Sequence, residues 1–246
     1  MPNADDAQVS TADIRSVARV GQICALFGPD APELTAAEVA ESTGLNRTTA
    51  YRYCTSMASA GILDKGSRRG TFSLGRLMLE LGVLALGRDG VVDLARPHLE
   101  RLRTATRSTA VLSIRGTQGA VVALVEEDTS RSVVVTVRPG TKLDRHAAQS
   151  LLMEAFGDPL TDTDPPDSSP ADRARHQQEV YEARKNGHSV AWQESTFAVA
   201  APVFGSRGLV ATVALLGAGE LDLALLLEPL TSTAAALTAE LGGEAD

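Results

Sequence analysis

Between residues 35 and 57 the pattern of apolar and polar positions sets out two short helices around which the rest of the chain is arranged. TAAEVAEST opens on Thr35 and carries Glu38 three residues later, the two halves of a capping box, so a helix is predicted to start here. Thr43-Gly44-Leu45 ends it, because Gly44 takes a positive φ at no steric cost, and Asn46 is placed to cap a second helix. In that second helix Ala50, Tyr53, Cys54 and Met57 recur at i, i+3, i+4 and i+7 and form one inward stripe. The other face shows Arg47, Thr48, Tyr51, Arg52 and Thr55, side chains that donate to phosphates and to base edges. An ordinary helical hairpin has the same pattern, so the neighbouring segments decide between the two.

Upstream, residues 12 to about 27 read as a helix with Val17, Val20, Cys24 and Phe27 along one side, stopped by Gly28-Pro29. Downstream, Ala60-Gly61 ends the second helix and Ile62-Leu63 reads as a short strand. Residues 64–70 form a Gly- and Arg-rich turn, and Thr71 to Leu74 alternate as a return strand. Three helices and a hairpin make a winged helix-turn-helix, mainly α, whose wing tip carries Lys65, Arg68 and Arg69 along a phosphate backbone. The next stretch, GRLMLELGVLALG, is apolar on two stripes: Leu74, Leu77, Met78, Leu81 and Leu84 on one, Leu79, Val83 and Leu86 on the other. A helix apolar all round is expected to be buried on both sides, one against the winged domain and the other against the same helix of a second chain.

A hinge is expected at residues 87–90. Beyond it come a helix at 91–106, strands at 110–115, 120–126 and 132–138 rich in β-branched residues, and a helix at 147–156. Residues 157–170 read as an exposed loop, in which Asp162, Asp164 and Asp167 lack the Gly and terminal Glu of a calcium loop. A helix at 171–186, strands at 188–192, 197–204 and 209–216, and a closing helix at 221–241 complete an α+β domain with an antiparallel sheet. The division is therefore a winged domain at 1–74, a linker and dimerisation helix at 75–90, and a regulatory domain at 91–246.

Charge sharpens this division. The 246-residue chain carries a formal charge of −8, which alone argues against a generally basic nucleic-acid binder. From Leu45 to Arg76, however, six bases face one acid, whereas from Val91 onward fourteen bases face twenty-one acids. The reading head is cationic and the second half repels DNA. Cys24 and Cys54 both fall on apolar helical stripes and read as reduced core thiols. No apolar run reaches the ~20 residues of a membrane span and the N-terminus has no signal-peptide pattern, so a cytoplasmic protein is expected. His98, His146, His176 and His188 show no metal spacing, and GxSxG, P-loop and GxGxxG motifs are absent, so neither enzyme, metal nor cofactor is expected. His98 and His176 fall in charged helices and are expected to face solvent. His146, opening a helix at the mouth of the sheet, is the histidine placed to touch a ligand.

In the order LTAAEVAESTGLNRTTAYRYCTSMASAGIL, GTFSLGRLMLELG, RPGTKLDRHAAQ and AVAAPVFGSRGLVATVALLG, the chain resembles the IclR family of bacterial transcription regulators from about Ser16 to the last helix. The resemblance implies a GAF-like regulatory domain that binds a small molecule, often an organic or aromatic acid. It also implies a dimer or tetramer on a palindromic DNA operator, acting as a repressor, and places Arg47, Thr48, Thr49, Tyr51 and Arg52 at DNA-facing positions. The chain departs from the family pattern after His146-Ala147, where it continues Ala148-Gln149-Ser150 in place of Thr or Ser and Gly-Lys. It departs again before Ala200-Ala201-Pro202, where Ser195, Thr196, Phe197 and Ala198 replace a Gly-Val-x-Cys run. Polar residues at element ends beside apolar segments give the effector candidates Ser113, Arg145, His146, Glu194, Ser195 and Thr196, and Arg145 favours an anion. The alternative is a protein-interaction or ligand-sensing module whose winged domain does not read DNA, which the cationic cluster disfavours.

Overall fold

The computed structural model describes residues 14–87, 90–117, 119–130, 134–157 and 168–243. The chain divides into two compact units between Leu84 and Ala85. The expected loose start at 1–10 and the aspartates Asp162, Asp164 and Asp167 lie outside the described residues.

In the first unit α1 (Arg15–Cys24), α2 (Ala36–Thr43) and α3 (Arg47–Ser59) enclose a core of Ile23, Phe27, Val39, Ala40, Ala50, Cys54 and Met57. Val17, expected on the inner side of α1, is 64% exposed. Ile23 is fully buried instead, so the inward stripe runs along Val20, Ile23 and Phe27. The wing is β2 (Leu63–Lys65) paired antiparallel with β3 (Thr71–Leu74). A two-residue strand, β1 (Leu34–Thr35), adds to the other edge of β3 through Leu34 opposite Phe72 and Thr35 opposite Thr71. This third strand was absent from the sequence expectation, because two residues carry no period. Helix α4 (Arg76–Gly87) follows, and none of its residues is buried. The expected packing is present only at its start, where Leu77 and Met78 are half-buried, while Leu79, Val83 and Leu84 are 70%, 63% and 69% exposed.

The second unit has three layers. Its sheet holds β4 (Thr109–Arg115), β5 (Ala120–Glu126), β6 (Ser189–Gln193), β7 (Thr196–Gly205) and β8 (Gly208–Ala218), ordered β5-β4-β8-β7-β6 and antiparallel throughout. Helices α5 (Val91–Thr106) and α8 (Leu223–Glu240) cover one face, with Leu99, Leu102, Leu230 and Leu237 packed on Leu112, Val199, Val213 and Leu215. Helices α6 (Ala148–Phe156) and α7 (Pro170–Asn186) cover the other, with Leu151, Leu152 and Ala183 packed against Ala200 and Ala214. Alternation along β7 and β8 accounts for both cores, since successive side chains point to opposite faces.

Two expectations need correction here. Residues 134–138 form no strand, and Ser132 lies outside the described residues. The chain turns at Gly140 (φ 86°), and residues 140–143 run beside β5 instead, with Leu143 N donating to Ala120 O at 2.9 Å. The β-branched run serves another purpose, because Val135, Thr136 and Val137 wall a cavity. His98 and His176 do not face solvent; they are 7% and 3% exposed. Each is paired with a carboxylate, His98 Nε2 with Glu240 at 3.0 Å and His176 Nε2 with Glu154 at 2.8 Å, which satisfies one nitrogen of each ring that a charged helix turns inward. Among the described residues no helix is long and apolar enough to cross a membrane.

Candidate functional site

The first unit presents α3 as its polar face. The Thr35 hydroxyl accepts from Glu38 N while Glu38 accepts from Thr35 N at 2.7 Å, a complete capping box that starts α2. Gly44 ends α2 at φ 67°, and Asn46 Oδ1 accepts from Thr49 N at 2.8 Å to start α3. These local bonds set the angle between the two helices. Ala50, Cys54 and Met57 are 0%, 0% and 2% exposed, so α3 cannot rotate without opening the core. The consequence is that Arg47, Thr48, Tyr51, Arg52 and Thr55 stand in solvent on one side, with Thr49 half-buried beside them. Tyr51 is steadied by an edge-on contact with Phe72 of β3, 6.5 Å between ring centres. Burial pushes the thiols of Cys24 and Cys54 above their ordinary range, which keeps both protonated.

An acid outside the wing holds its turn. Glu33 accepts from the amides of Ser67 at 2.6 Å and Arg68 at 3.2 Å and from the Thr71 hydroxyl at 2.7 Å. Hydrogen bonds from the Ser67 hydroxyl and amide, then from Thr71 and the Arg68 amide, hold its carboxyl at about 2, well below the usual 4.5. Glu33 therefore stays ionised and ties the wing turn to the strand that leads into α2. Arg68 stays exposed but leans on Glu33, its Nε 3.5 Å from the carboxylate and its Nη2 donating to the Glu33 carbonyl at 3.2 Å. Lys65 and Arg69 are exposed on the same wing.

In the second unit a cavity of about 510 Å³ opens where β6, β7, the start of α6 and residues 135–143 meet. Its size suits a small metabolite. His146, Gln149, Lys142, Thr136 and Thr196 supply polar groups, and Trp192 and Phe197, whose rings stand edge-on at 5.7 Å, supply an aromatic wall. Of the sequence candidates, His146 and Thr196 come together here. Ser113, Arg145, Glu194 and Ser195 do not line it. Ser113 is fully buried in mid-strand opposite Thr212 on the face that packs against α6. Arg145 reaches toward Ser168 Oγ at 3.4 Å, and Glu194 (φ 54°) and Ser195 form the exposed turn between β6 and β7. Gln149, Lys142 and Trp192 were missed, although Gln149 sits one turn beyond His146 and the lone tryptophan ends a strand.

Comparison with known proteins agrees with both halves. The sequence model of the IclR helix-turn-helix domain matches residues 16–66. The DNA-binding transcriptional repressor YiaJ of Escherichia coli strain K12 is 27% identical over 229 residues, which span 84% of this chain and 80% of that one. Among solved structures, a protein of Silicibacter sp. TM1040 described as an IclR transcriptional regulator superposes with a TM-score of 0.80 at 19% identity, covering 94% of this chain and 98% of its own. An IclR homologue from Microbacterium hydrocarbonoxydans complexed with 4-hydroxybenzoate superposes with a TM-score of 0.69 at 21% identity, covering 92% and 98%. Residues 16–66 thus match an IclR helix-turn-helix domain, and along most of its length the chain is similar to helix-turn-helix transcription regulators.

Proposed function

We propose that this regulator reads a near-palindromic operator with two copies of α3 and that an aromatic or organic acid in the second domain alters its hold on DNA. The observation that carries the reading is the split of α3 between a fully buried stripe and an exposed face of Arg47, Thr48, Tyr51 and Arg52. A helix so placed enters a major groove, where Arg pairs with guanine N7 and O6 and Tyr meets a thymine methyl or a phosphate. Pairing of two chains through α4 supplies the second head, and two such dimers can join in a tetramer. The protein works in the cytoplasm, where the duplex is, and represses when the operator overlaps a promoter. Retention of the DNA upstream of its own gene, selective and salt-sensitive, tests this.

The two wing arginines differ. Arg69→Ala removes a free-standing phosphate contact and lowers the slope of log affinity against log salt by about one unit, equally for all sequences. Arg68→Ala gives a smaller change, because its guanidinium is already engaged by Glu33. Equal salt slopes in wild type and Arg69→Ala rule the wing contact out.

The effector reading rests on the aromatic wall of Trp192 and Phe197 with Lys142 and His146 at one cavity, a set that stacks a ring and neutralises a carboxylate. It gains support from the relative that holds 4-hydroxybenzoate in the same fold. In a thermal-shift screen of aromatic and aliphatic carboxylates, a true effector at 100 times its dissociation constant stabilises by about 2.7 kcal/mol. Trp192→Ala removes that shift. A screen without any shift contradicts the reading.

A further inference from the structure

We propose that His146, His176 and Glu179 form a divalent metal site, with zinc the fitting ion, between the start of α6 and the buried side of α7. Each of the three offers one ligand atom, and these atoms all lie within 4.8 Å of one another. The sequence spacing concealed them, since His146 is thirty residues from His176, but His176 and Glu179 are i and i+3 on α7 and share a face. The two imidazole rings stand edge-on, 5.2 Å between centres.

The second observation is an orphaned nitrogen. His176 is 3% exposed, its Nε2 is committed to Glu154 Oε2 at 2.8 Å, and its Nδ1 is buried without a partner. A carboxylate on Nε2 fixes the proton there and leaves a lone pair on Nδ1, the tautomer a metal ligand needs. Burying that lone pair with nothing to accept from disfavours the fold unless something binds it. His146 is arranged differently: Nδ1 lies 2.5 Å from Glu179 Oε2, and Nε2 lies 3.3 Å from Arg175 Nη2 and 3.4 Å from Asp172 Oδ1, so an ion enters by displacing the Nδ1 proton. His176 thus has a carboxylate behind its outer nitrogen, as ligating histidines usually do.

Two nitrogens and one carboxylate oxygen are a donor set for zinc, with the fourth position left open. Tetrahedral zinc holds its ligand atoms about 3.3 Å apart, so the hydrogen-bonded His146–Glu179 pair, 2.5 Å apart, must open to admit the ion by rotation of two side chains that are only half-buried. Without an ion, Arg175 supplies the positive charge. Its Nη2 donates to Asp172 at 2.7 Å and lies 3.3 Å from His146 Nε2, and its Nε is 3.8 Å from Glu179. Its side chain is 61% exposed and free to swing away when an ion enters. His146 and Glu179 border a cavity of about 680 Å³ that also has His188 in its lining. The site revises the expectation of no metal, and it stands independently of what fills the effector cavity, although His146 borders both.

The test uses the full chain, stripped with a chelator and titrated with Co²⁺ and then Zn²⁺ in the absence of DNA or effector. The expected result is one Co²⁺ per chain, with the visible bands of a four- or five-coordinate nitrogen and oxygen site, displaced by Zn²⁺. Glu154→Gln, which alters only the far nitrogen of His176, weakens binding about 10- to 100-fold. His146→Gln and Glu179→Gln weaken it more, while His188→Gln, at the rim of the same cavity, leaves it unchanged. Metal-free melting curves show that the variants fold, since His146 and Glu179 are not in the core. No saturable uptake by wild type overturns the proposal. So does uptake unaffected by the His146→Gln and Glu179→Gln double variant, or a thiolate charge-transfer band, which would place the ion on a cysteine.

Discussion

Leu79→Asp with Val83→Asp is expected to convert the protein to monomers and to lower operator affinity by about 10²- to 10⁴-fold, the range by which joining two binding modules raises avidity. Both residues lie on the outward stripe of α4 and are 70% and 63% exposed, beside Leu84 at 69% and Leu86 at 43%. With Leu81 at 49%, five large aliphatic side chains of α4 face water, the mark of a surface that a partner covers, since each such side chain contributes about 1.5–3 kcal/mol when fully buried. In the dimer proposed above, two copies related by a twofold axis would bury the stripe against itself and set two α3 helices on one duplex. Two aspartates in the seam leave like charges facing each other without water. Light scattering after size exclusion reads the mass, and fluorescence anisotropy reads the affinity. A double variant that stays dimeric and binds like wild type places the seam elsewhere.

Gly75→Ala is expected to destabilise the winged unit by about 1–3 kcal/mol, which for a unit of this size lowers its melting temperature by roughly 5–20 °C. A Cβ at Gly75 would lie 2.2 Å from the carbonyl oxygen of Gly61 and 2.8 Å from two backbone carbons. Neither segment can give way cheaply. Gly75 N donates to Ile62 O at 2.8 Å, Leu77 N donates to Gly61 O at 3.2 Å, and Gly61 holds φ 75° to end α3. This contact fixes the exit of α3 against the start of α4, so the variant should also weaken operator binding. Gly82→Ala is the control. It lies inside α4 with nothing within 4 Å of its Cβ, and alanine there stabilises by up to about 1 kcal/mol. Calorimetry on both variants distinguishes a backbone collision from a general intolerance of side chains.

What could be read from the chain divides by the range of the forces involved. The stretch from Thr35 to Met57 was legible because its determinants are neighbours: the Thr35–Glu38 capping box, the left-handed Gly44, the Asn46 cap and the buried Ala50, Cys54 and Met57 all act within one or two turns. The same holds for β7 and β8, whose long apolar runs are bounded by glycine turns. Features set by remote partners were not legible. His98 is buried because Glu240 reaches it from 142 residues away, and the wing is tied down by Glu33 from 34 and 35 residues upstream. Residues 134–138 have strand chemistry but border a cavity, a decision made by Trp192, Phe197 and α6 rather than by their own alternation. Polarity at an element's end chose His146 and Thr196 for that cavity. It chose as readily Ser113, which the register places in the core, and Glu194 and Ser195, which form a turn.

The central claim is that the exposed face of α3 reads bases. Fluorescence anisotropy of wild type and the Arg47→Ala, Arg52→Ala double variant, on the DNA upstream of the gene and on a scrambled duplex across a salt series, tests it most directly. Wild type should prefer the upstream DNA and lose affinity steeply with salt. The double variant should lose about 1–3 kcal/mol per base-reading arginine on the upstream DNA, with specificity relaxed at the positions concerned. A double variant that separates the two duplexes as well as wild type does contradicts the account.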